Sequence, residues 1–529
     1  MKHDDAGVLD APPPVQRVHG PARPDGTAAP LPPERTLDPD DWESLRAVAH
    51  RMVDQMVDLH RDVRDQPTWQ LMPPETRARF REDPPPLEAS GLEATYRDFT
   101  RDVLPYRTGN IHPRWWGWVS GTGTPGGMLA SMLAGGINSI AGIFDDSASA
   151  VQDQVVRWLA QALGFPEGTS GVIASGGSVA NLLGLAAARD ARAGALVRYG
   201  APDGPGRPVL YASQEVHASV DKAVHLLGLG RDALRKVAVD DQYRIDVGAL
   251  ADAVARDRAN GLWPFCIVGT AGTVNTGAVD DLEALADLAG REELWLHVDG
   301  AFGAMAALSP ELRSRVRGLE RADSLAFDLH KWLYVPYEAG AVLIRDQAAH
   351  LAPFRVDADY LESMERGAGA RPETTKDRGL QLSRGFKALK VWMSIKEHGL
   401  RRFGEQILQN VHQADYLIGL VDRSPALELS APTDLNVVCF RYVEGLGNPE
   451  EADAVNREIL MRLHEDGIAV PSYTRLDSRF AIRVAITNHR TRREDLRLLA
   501  EEVVRLGLEV RGVHQVPTAR AAESEEGSG

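Results

Sequence analysis

Cysteine is nearly missing from this chain, with two in 529 residues, Cys266 and Cys439. Each sits inside an apolar, strand-like run, so the pair reads as buried free thiols of a reducing compartment, which leaves no disulfide framework and no zinc or other metal site. Long hydrophobic runs are missing as well. None reaches the roughly 18 uncharged residues that a membrane span needs. The opening Met1-Lys2-His3-Asp4-Asp5 leads into prolines rather than into the apolar core of a secretory signal. Positive charge is in short supply, with 59 Lys and Arg against 75 Asp and Glu and a net charge of −16. That balance argues against nucleic acid or an anionic membrane as partner. There is no Walker loop, and the spacing Gly-x-Gly-x-x-Gly of a dinucleotide site is absent. What these absences leave is a cytoplasmic protein of ordinary hydrophobic (43%) and charged (25%) content, long enough for two or three packed regions.

The organisation follows from changes of pattern along the chain. Residues 1–37 are rich in proline and charge and have little to bury, so they are expected to form a disordered arm; residues 516–529 read the same way. At residue 38 a helix is expected, with Asp38 as N-cap, Pro39 at the first helical position and Leu45, Val48, Met52 and Met56 at helical spacing. Residues 38–110 form an N-terminal helical segment with a proline-rich loop. Between 111 and 399 short apolar runs (171–174, 209–212, 237–239, 265–269, 295–298, 324–327 and 341–344) alternate with helical patterns such as 178–187 and 280–289. That alternation specifies an α/β fold with a mostly parallel sheet, in which ligands bind beyond the carboxyl ends of the strands. A helix over 382–399 leads into a smaller α+β domain, 400–515, where the runs 436–442, 467–471 and 480–486 alternate with helices at 451–466 and 493–506.

Two strand ends carry the chemistry. The run Trp295-Leu296-His297-Val298 delivers Asp299, and Ser324-Leu325-Ala326-Phe327 leads to His330-Lys331. A carboxylate and an amine presented side by side are what pyridoxal 5′-phosphate requires: lysine forms a Schiff base with the aldehyde, and the carboxylate keeps the pyridine nitrogen protonated so that the ring accepts electrons. Gly176-Gly177-Ser178 joins a strand to a helix, where backbone amides can approach an anion; a glycine turn with a serine cap has the same pattern. His217 follows a strand and precedes a helix, a place for a capping residue or for an imidazole lying on a cofactor ring. Gly272-Thr273-Val274-Asn275-Thr276 is a further loop suited to lining that ring, and Ala301 is small enough to approach its other face.

These motifs, in this order, resemble the group II pyridoxal 5′-phosphate-dependent amino-acid decarboxylases, the family of the aromatic-L-amino-acid decarboxylases. The resemblance runs from about residue 40 to 510. It includes Ile111-His112-Pro113-Arg114-Trp115-Trp116-Gly117-Trp118, the glycine loop, the His217 segment, Val298-Asp299-Gly300-Ala301, His330-Lys331-Trp332, Leu382-Ser383-Arg384-Gly385-Phe386 and Ile482-Arg483-Val484-Ala485. It implies fold type I of these enzymes, similar to aspartate aminotransferase, and a homodimer with active sites at the subunit interface. By position it makes Lys331 the Schiff-base lysine and Asp299 the partner of the ring nitrogen. It also makes His217 the stacking residue and proton mediator, Gly177 and Ser178 the phosphate holders, and Thr273, Ala301 and His330 further cofactor contacts.

The pattern departs from the family in places that bear on substrate and product. Aromatic decarboxylases carry a loop tyrosine that protonates the intermediate. Counting back from Arg384 lands on Thr375, and no tyrosine lies between Leu361 and Leu382. Either His217, a water or the other subunit supplies the proton and an amine forms, or the intermediate meets O2 and an aldehyde is released. The familiar second threonine of the Gly-Thr-Thr loop is Val274. His112, Trp115, Trp116, Asp145 and Arg384 are candidate substrate contacts. The tryptophans equally suit packing at a subunit interface, Asp145 a solvated loop, and Arg384 a pairing at a helix start. Decarboxylation of an aromatic L-amino acid leads, with the oxidative reaction, a glutamate- or diaminobutyrate-type decarboxylase and a catalytically silent homologue behind it.

Overall fold

The computed structural model describes residues 34–199, 206–355, 364–370 and 375–512. Most of the expected arm and all of the expected tail therefore lie outside the described residues. The chain divides into two units, residues 1–53 and 54–529. In the first, the helix Trp42–Arg61 begins where Asp41, rather than Asp38, accepts the amide protons of Glu43 and Ser44 at 3.0 and 3.1 Å. A carboxylate just ahead of unpaired helix amides is the stronger cap, and it overrides the Asp38-Pro39 signal.

The second unit is built on two sheets. In chain order the strands are β1 (Trp115–Trp116), β2 (Ser170–Ala174), β3 (Pro208–Ser213), β4 (Leu234–Val237), β5 (Trp263–Thr270), β6 (Trp295–Asp299), β7 (Ser324–Asp328), β8 (Gly340–Ile344), β9 (Leu427–Leu429), β10 (Val437–Tyr442), β11 (Val470–Leu476) and β12 (Arg479–Ala485). The larger sheet has the order β2-β8-β7-β6-β5-β3-β4, and only β8 runs against its neighbours. Apart from the edge strand β4, its strands are buried on both faces, which is why they read as continuous apolar runs. Alternate residues go to opposite sides. Leu210 and Ala212 pack under the helices Gly177–Tyr199 and Ala218–Leu226. Val209 and Tyr211 belong to the core on the other face, where the Tyr211 hydroxyl donates to Asp257 of the helix Val247–Ala259 at 2.9 Å. Each fully buried side chain of this kind is worth about 1.5–3 kcal/mol. The run expected at 237–239 is split, because β4 ends at Val237 and Val239 instead bridges to Ile245 across a tight turn.

The smaller sheet, ordered β1-β11-β12-β10-β9, is covered by the helices Pro449–Glu465 and Arg493–Val510. Two features differ from the sequence expectation. The strand expected at 467–471 starts only at Val470, since Gly467 (φ 64°) is spent ending the preceding helix. And Trp115–Trp116, expected within the larger domain, pairs in parallel with β11 in this sheet. The helix Ala388–Asp422 is interrupted at Gly399 (φ 74°), where the sequence suggests a boundary. Cys266 and Cys439 are buried free thiols. No helix among the described residues is long and apolar enough to cross a membrane.

Candidate active site

Adjacent parallel strands β6 and β7, in register at Asp299 and Ala326, open their carboxyl ends on the same edge of the sheet. Past β7 the chain turns sharply, with the amides of Leu329 and His330 both donating to Ala339 O at 3.0 Å. That turn brings Lys331 back over Asp328. The Lys331 ammonium lies 2.9 Å from Asp328 Oδ2, and Asp328 Oδ1 accepts the Gly177 amide proton at 2.6 Å. Burial works against the charged lysine. The Asp328 carboxylate, by charge and by hydrogen bond, outweighs it, with Asp299 and Tyr337 adding to the effect, so the amine is held above the ordinary lysine value.

Asp299 is 3% exposed. Its Oδ1 accepts the Ala301 amide proton at 3.1 Å and its Oδ2 accepts from Asn181 Nδ2 at 2.9 Å. His217 caps the helix Ala218–Leu226. Its Nδ1 accepts the Ser219 amide proton at 3.2 Å and lies 2.8 Å from Ser219 Oγ, so its mobile proton sits on Nε2. Burial, opposed by Asp299 and Asp328, pushes this imidazole below the usual histidine value and keeps it neutral. His330 accepts from the Ala339 amide through Nδ1 at 3.1 Å, and its ring meets that of Tyr337 at 4.4 Å. Gly121 seals this corner, since a Cβ there would fall 1.4 Å from His330 O.

The glycine loop sits at the N-terminus of the helix Gly177–Tyr199. A Cβ on Gly177 would come 2.9 Å from Asp328 Oδ2, and one on Gly340 would come 2.5 Å from the Gly176 backbone. Only glycines leave this cradle open, and its helix-end amides favour an anion. Ser178 is exposed at its rim.

The other sequence candidates lie in different surroundings. The Thr273 hydroxyl is spent in its own turn, 3.0 Å from Thr276 Oγ1 and accepting from the Ala278 amide at 3.1 Å. Trp116 is fully buried in the smaller sheet's core, its indole N–H donating to Thr491 Oγ1 at 3.1 Å. Trp115 is buried beside it in β1. His112 is buried, with Nδ1 accepting the Arg114 amide proton at 3.1 Å. Asp145 is exposed, and its neighbour Asp146 caps the helix Ser147–Ala162. Arg384 is buried and donates through Nη2 to both Thr375 O and Thr375 Oγ1 at 2.6 Å; burial lowers its pKa to about 10. Sequence reasoning missed Asp328 and Asn181. Asp328 was visible as a second carboxylate in Phe327-Asp328-Leu329-His330-Lys331. Asn181 was visible one helical turn past Gly177, on the face that turns back toward the loop.

A carboxylate, a lysine and a glycine-lined anion cradle meeting at the carboxyl edge of a mixed α/β sheet define an enzyme of the pyridoxal-phosphate class. The chain belongs to the pyridoxal-dependent decarboxylases, whose conserved domain matches residues 74–443. It is 32% identical over 471 residues to an aromatic-L-amino-acid decarboxylase of Bacillus atrophaeus, covering 87% of this chain and 96% of that one. Among solved structures it resembles the Oryza sativa TDC with PLP and tryptamine (TM-score 0.83, 27% identity, 90% and 100% of the two chains). It also resembles the Rhodiola rosea 4-hydroxyphenylacetaldehyde synthase (TM-score 0.79, 26% identity, 89% and 99%). The residues at the site fit the cofactor of this family: an amine for its aldehyde, a carboxylate for its ring nitrogen and helix-end amides beside the Asp328-bonded Gly177 for its phosphate.

Proposed function

We propose that the protein decarboxylates an aromatic L-amino acid to the amine and CO2, as a cytoplasmic homodimer. The observation that carries this reading is the meeting of Lys331, Asp299 and the Gly176-Gly177 cradle at one sheet edge, together with the aromatic-amino-acid decarboxylase of Bacillus atrophaeus among the relatives. When bound, pyridoxal phosphate supplies an aldehyde for the amine and a protonated ring that accepts the electron pair left when the Cα–carboxylate bond breaks. Lys331 would hold the cofactor through its amine. Asp299, fixed by Asn181 and Ala301, would hold the ring nitrogen protonated. The amides that open the helix Gly177–Tyr199, other than that of Gly177, which Asp328 holds, would serve the phosphate, with Ser178 at the rim. His217, neutral with its proton on Nε2, would relay a proton from solvent toward Cα. The exposed apolar side chains of Met132, Leu133 and Ile137, with Ile140 and Phe144 beyond them, suit burial against a second subunit.

A second reading has support in Thr375. Counting back from Arg384 lands on it, and its hydroxyl is tied up by Gln152 Nε2 at 2.8 Å and by Arg384. With no tyrosine at that count, oxygen chemistry supplied by the bound cofactor would release an aldehyde, as the name of the Rhodiola relative suggests. One experiment separates the two. Incubate the holoenzyme with aromatic L-amino acids and measure CO2, amine, ammonia, peroxide and oxygen uptake. Amine without oxygen uptake supports decarboxylation alone; aldehyde, ammonia and peroxide support the oxidative reaction. No CO2 from any aromatic substrate, or yellow cofactor absorbance that survives Lys331→Ala, rejects the proposal.

A further inference from the structure

Behind Asp299 lies a group of polar side chains in an otherwise apolar core: Asn181, Ser219, His297, Ser324 and the indole of Trp295, each 4% exposed or less. Burying such groups is unfavourable unless every donor finds an acceptor, and here the protons can be assigned one by one. Asn181 Oδ1 has only lone pairs to offer, so His297 Nε2, 3.0 Å away, carries its hydrogen. His297 is neutral, since burial pushes its pKa down to about 3. Its Nδ1 is therefore bare and accepts from the Ser324 hydroxyl at 2.7 Å. Ser324 Oγ in turn accepts the Trp295 indole proton at 2.8 Å.

With its oxygen pinned, Asn181 can only point its NH2 the other way. It donates to Asp299 Oδ2 and to Ser219 Oγ, both at 2.9 Å. Ser219, having accepted, passes its own hydroxyl proton to His217 Nδ1 at 2.8 Å. Donation thus runs one way, Trp295 to Ser324 to His297 to Asn181, and forks there to Asp299 and, through Ser219, to His217. Gly184 makes room for this arrangement, because a Cβ there would lie 2.5 Å from His297 Cε1.

We propose that this forked hydrogen-bond chain, with Asn181 at its branch, is the positioning device that holds Asp299 and His217 in a fixed relation to one bound cofactor. The proposal rests on the roles given above to those two residues and goes one layer behind them. His297 is the lock. A carboxamide is nearly symmetric in shape, and if flipped it would aim its oxygen at the lone pairs of Asp299. The Nε2–H of His297 and the Asp299 carboxylate together select the right orientation, and the Ser324 hydroxyl, donating to Nδ1, supports that tautomer of His297.

The test uses the full-length protein and pyridoxal phosphate, with Asn181→Ala, His297→Leu, His297→Gln and Ser324→Ala. For each, the measurements are cofactor Kd by absorbance titration, the pH profile of the bound-cofactor absorbance, the thermal midpoint, and kcat and KM. Leaving a buried donor or acceptor unpaired is expected to weaken cofactor binding about ten- to a hundredfold in Asn181→Ala and His297→Leu. The absorbance profile should shift along the pH axis, and kcat should fall with KM little changed. His297→Gln, whose amide can donate to Asn181 and accept from Ser324, should recover most of the loss. Variants that lower only the thermal midpoint, with wild-type Kd and absorbance profile, overturn the proposal, as does a His297→Gln no better than His297→Leu. If Asn181→Ala fails to fold, Ser324→Ala decides alone. It removes one hydroxyl, and it must shift the absorbance profile in the direction of His297→Leu or the chain is rejected. A wild-type protein that binds no pyridoxal phosphate overturns the functional reading itself, whereas normal binding with indifferent variants overturns only the chain.

Discussion

Replacing Asp328 by asparagine tests the charge balance around Lys331. The side chain keeps its shape, and its oxygen can still accept from the Gly177 amide, so what disappears is the negative charge 2.9 Å from the lysine nitrogen. Removing one partner of a buried ion pair costs about 3–5 kcal/mol when the other charge is left behind. Lys331 keeps 23% of its side chain exposed, and Asp299 still acts on it, so the lower end, about 3 kcal/mol, applies. The lysine responds by shedding its proton. Since 1.4 kcal/mol corresponds to a factor of ten, the population of neutral amine near pH 7 rises about a hundredfold. Only the neutral amine attacks an aldehyde. The sign follows from the direction of the shift. In the parent protein the ammonium is held above the ordinary lysine value, so the reactive form is scarce at neutral pH and grows as pH rises; without Asp328 that growth starts at lower pH. Stopped-flow measurement of the yellow absorbance after mixing with pyridoxal phosphate, across a pH series, reads this directly. Pyridoxal, which lacks the phosphate, should show the displacement that arises on the amine, and any further change seen only with pyridoxal phosphate reads the loss of the Asp328 charge beside the Gly177 amide. A pH profile that does not move, or slower colour formation in Asp328→Asn, refutes the reasoning.

Other outcomes follow from burial and close contact. His112, His297 and His350 are held neutral by burial, at about 4, 3 and 3, while the unfolded chain takes up protons near the ordinary value of 6.5. Depressed folded values mean that stability is fully present above about pH 6.5 and is lost as pH falls toward 3–4, at about 1.4 kcal/mol per pH unit for each residue; urea midpoints that stay flat from pH 7 to 5 would count against this. Trp116→Ala should cost about 3–5 kcal/mol of stability in urea unfolding, since the side chain is fully buried and bonded to Thr491; a loss under 1 kcal/mol would mean that the smaller sheet does not depend on it. Gly121→Ala drives a methyl group into His330 O and should abolish the yellow absorbance, because the His330-Lys331 backbone has to move; retained colour with unchanged cofactor Kd would contradict the packing.

The chemistry of this chain was legible where one residue type at one strand end carries it. Asp299 and Lys331 stand out because each terminates an apolar run, and a buried parallel sheet brings such ends to one edge whatever the loops between them do. The supporting chain of hydrogen bonds was not legible in that way, because its members come from separate elements and each alone is an ordinary polar residue in a core run. A partial signal did exist. His297 and Asp299 are two apart on β6 and so face the same side, and a histidine on the buried face of a central strand must find a partner for its proton. Which partner it finds depends on the packing of the helix Gly177–Tyr199, which no spacing rule provides. The aromatic substrate candidates were ambiguous for the opposite reason. Trp115, Trp116 and His112 are clustered in sequence, and aromatic clustering describes a pocket wall and a packed core equally well. What separated the two was a strand of two residues, β1, paired with β11 across most of the chain's length. Local pattern cannot reveal so short and so distant a pairing, and that pairing is what consigns Trp116 to the core of the smaller sheet.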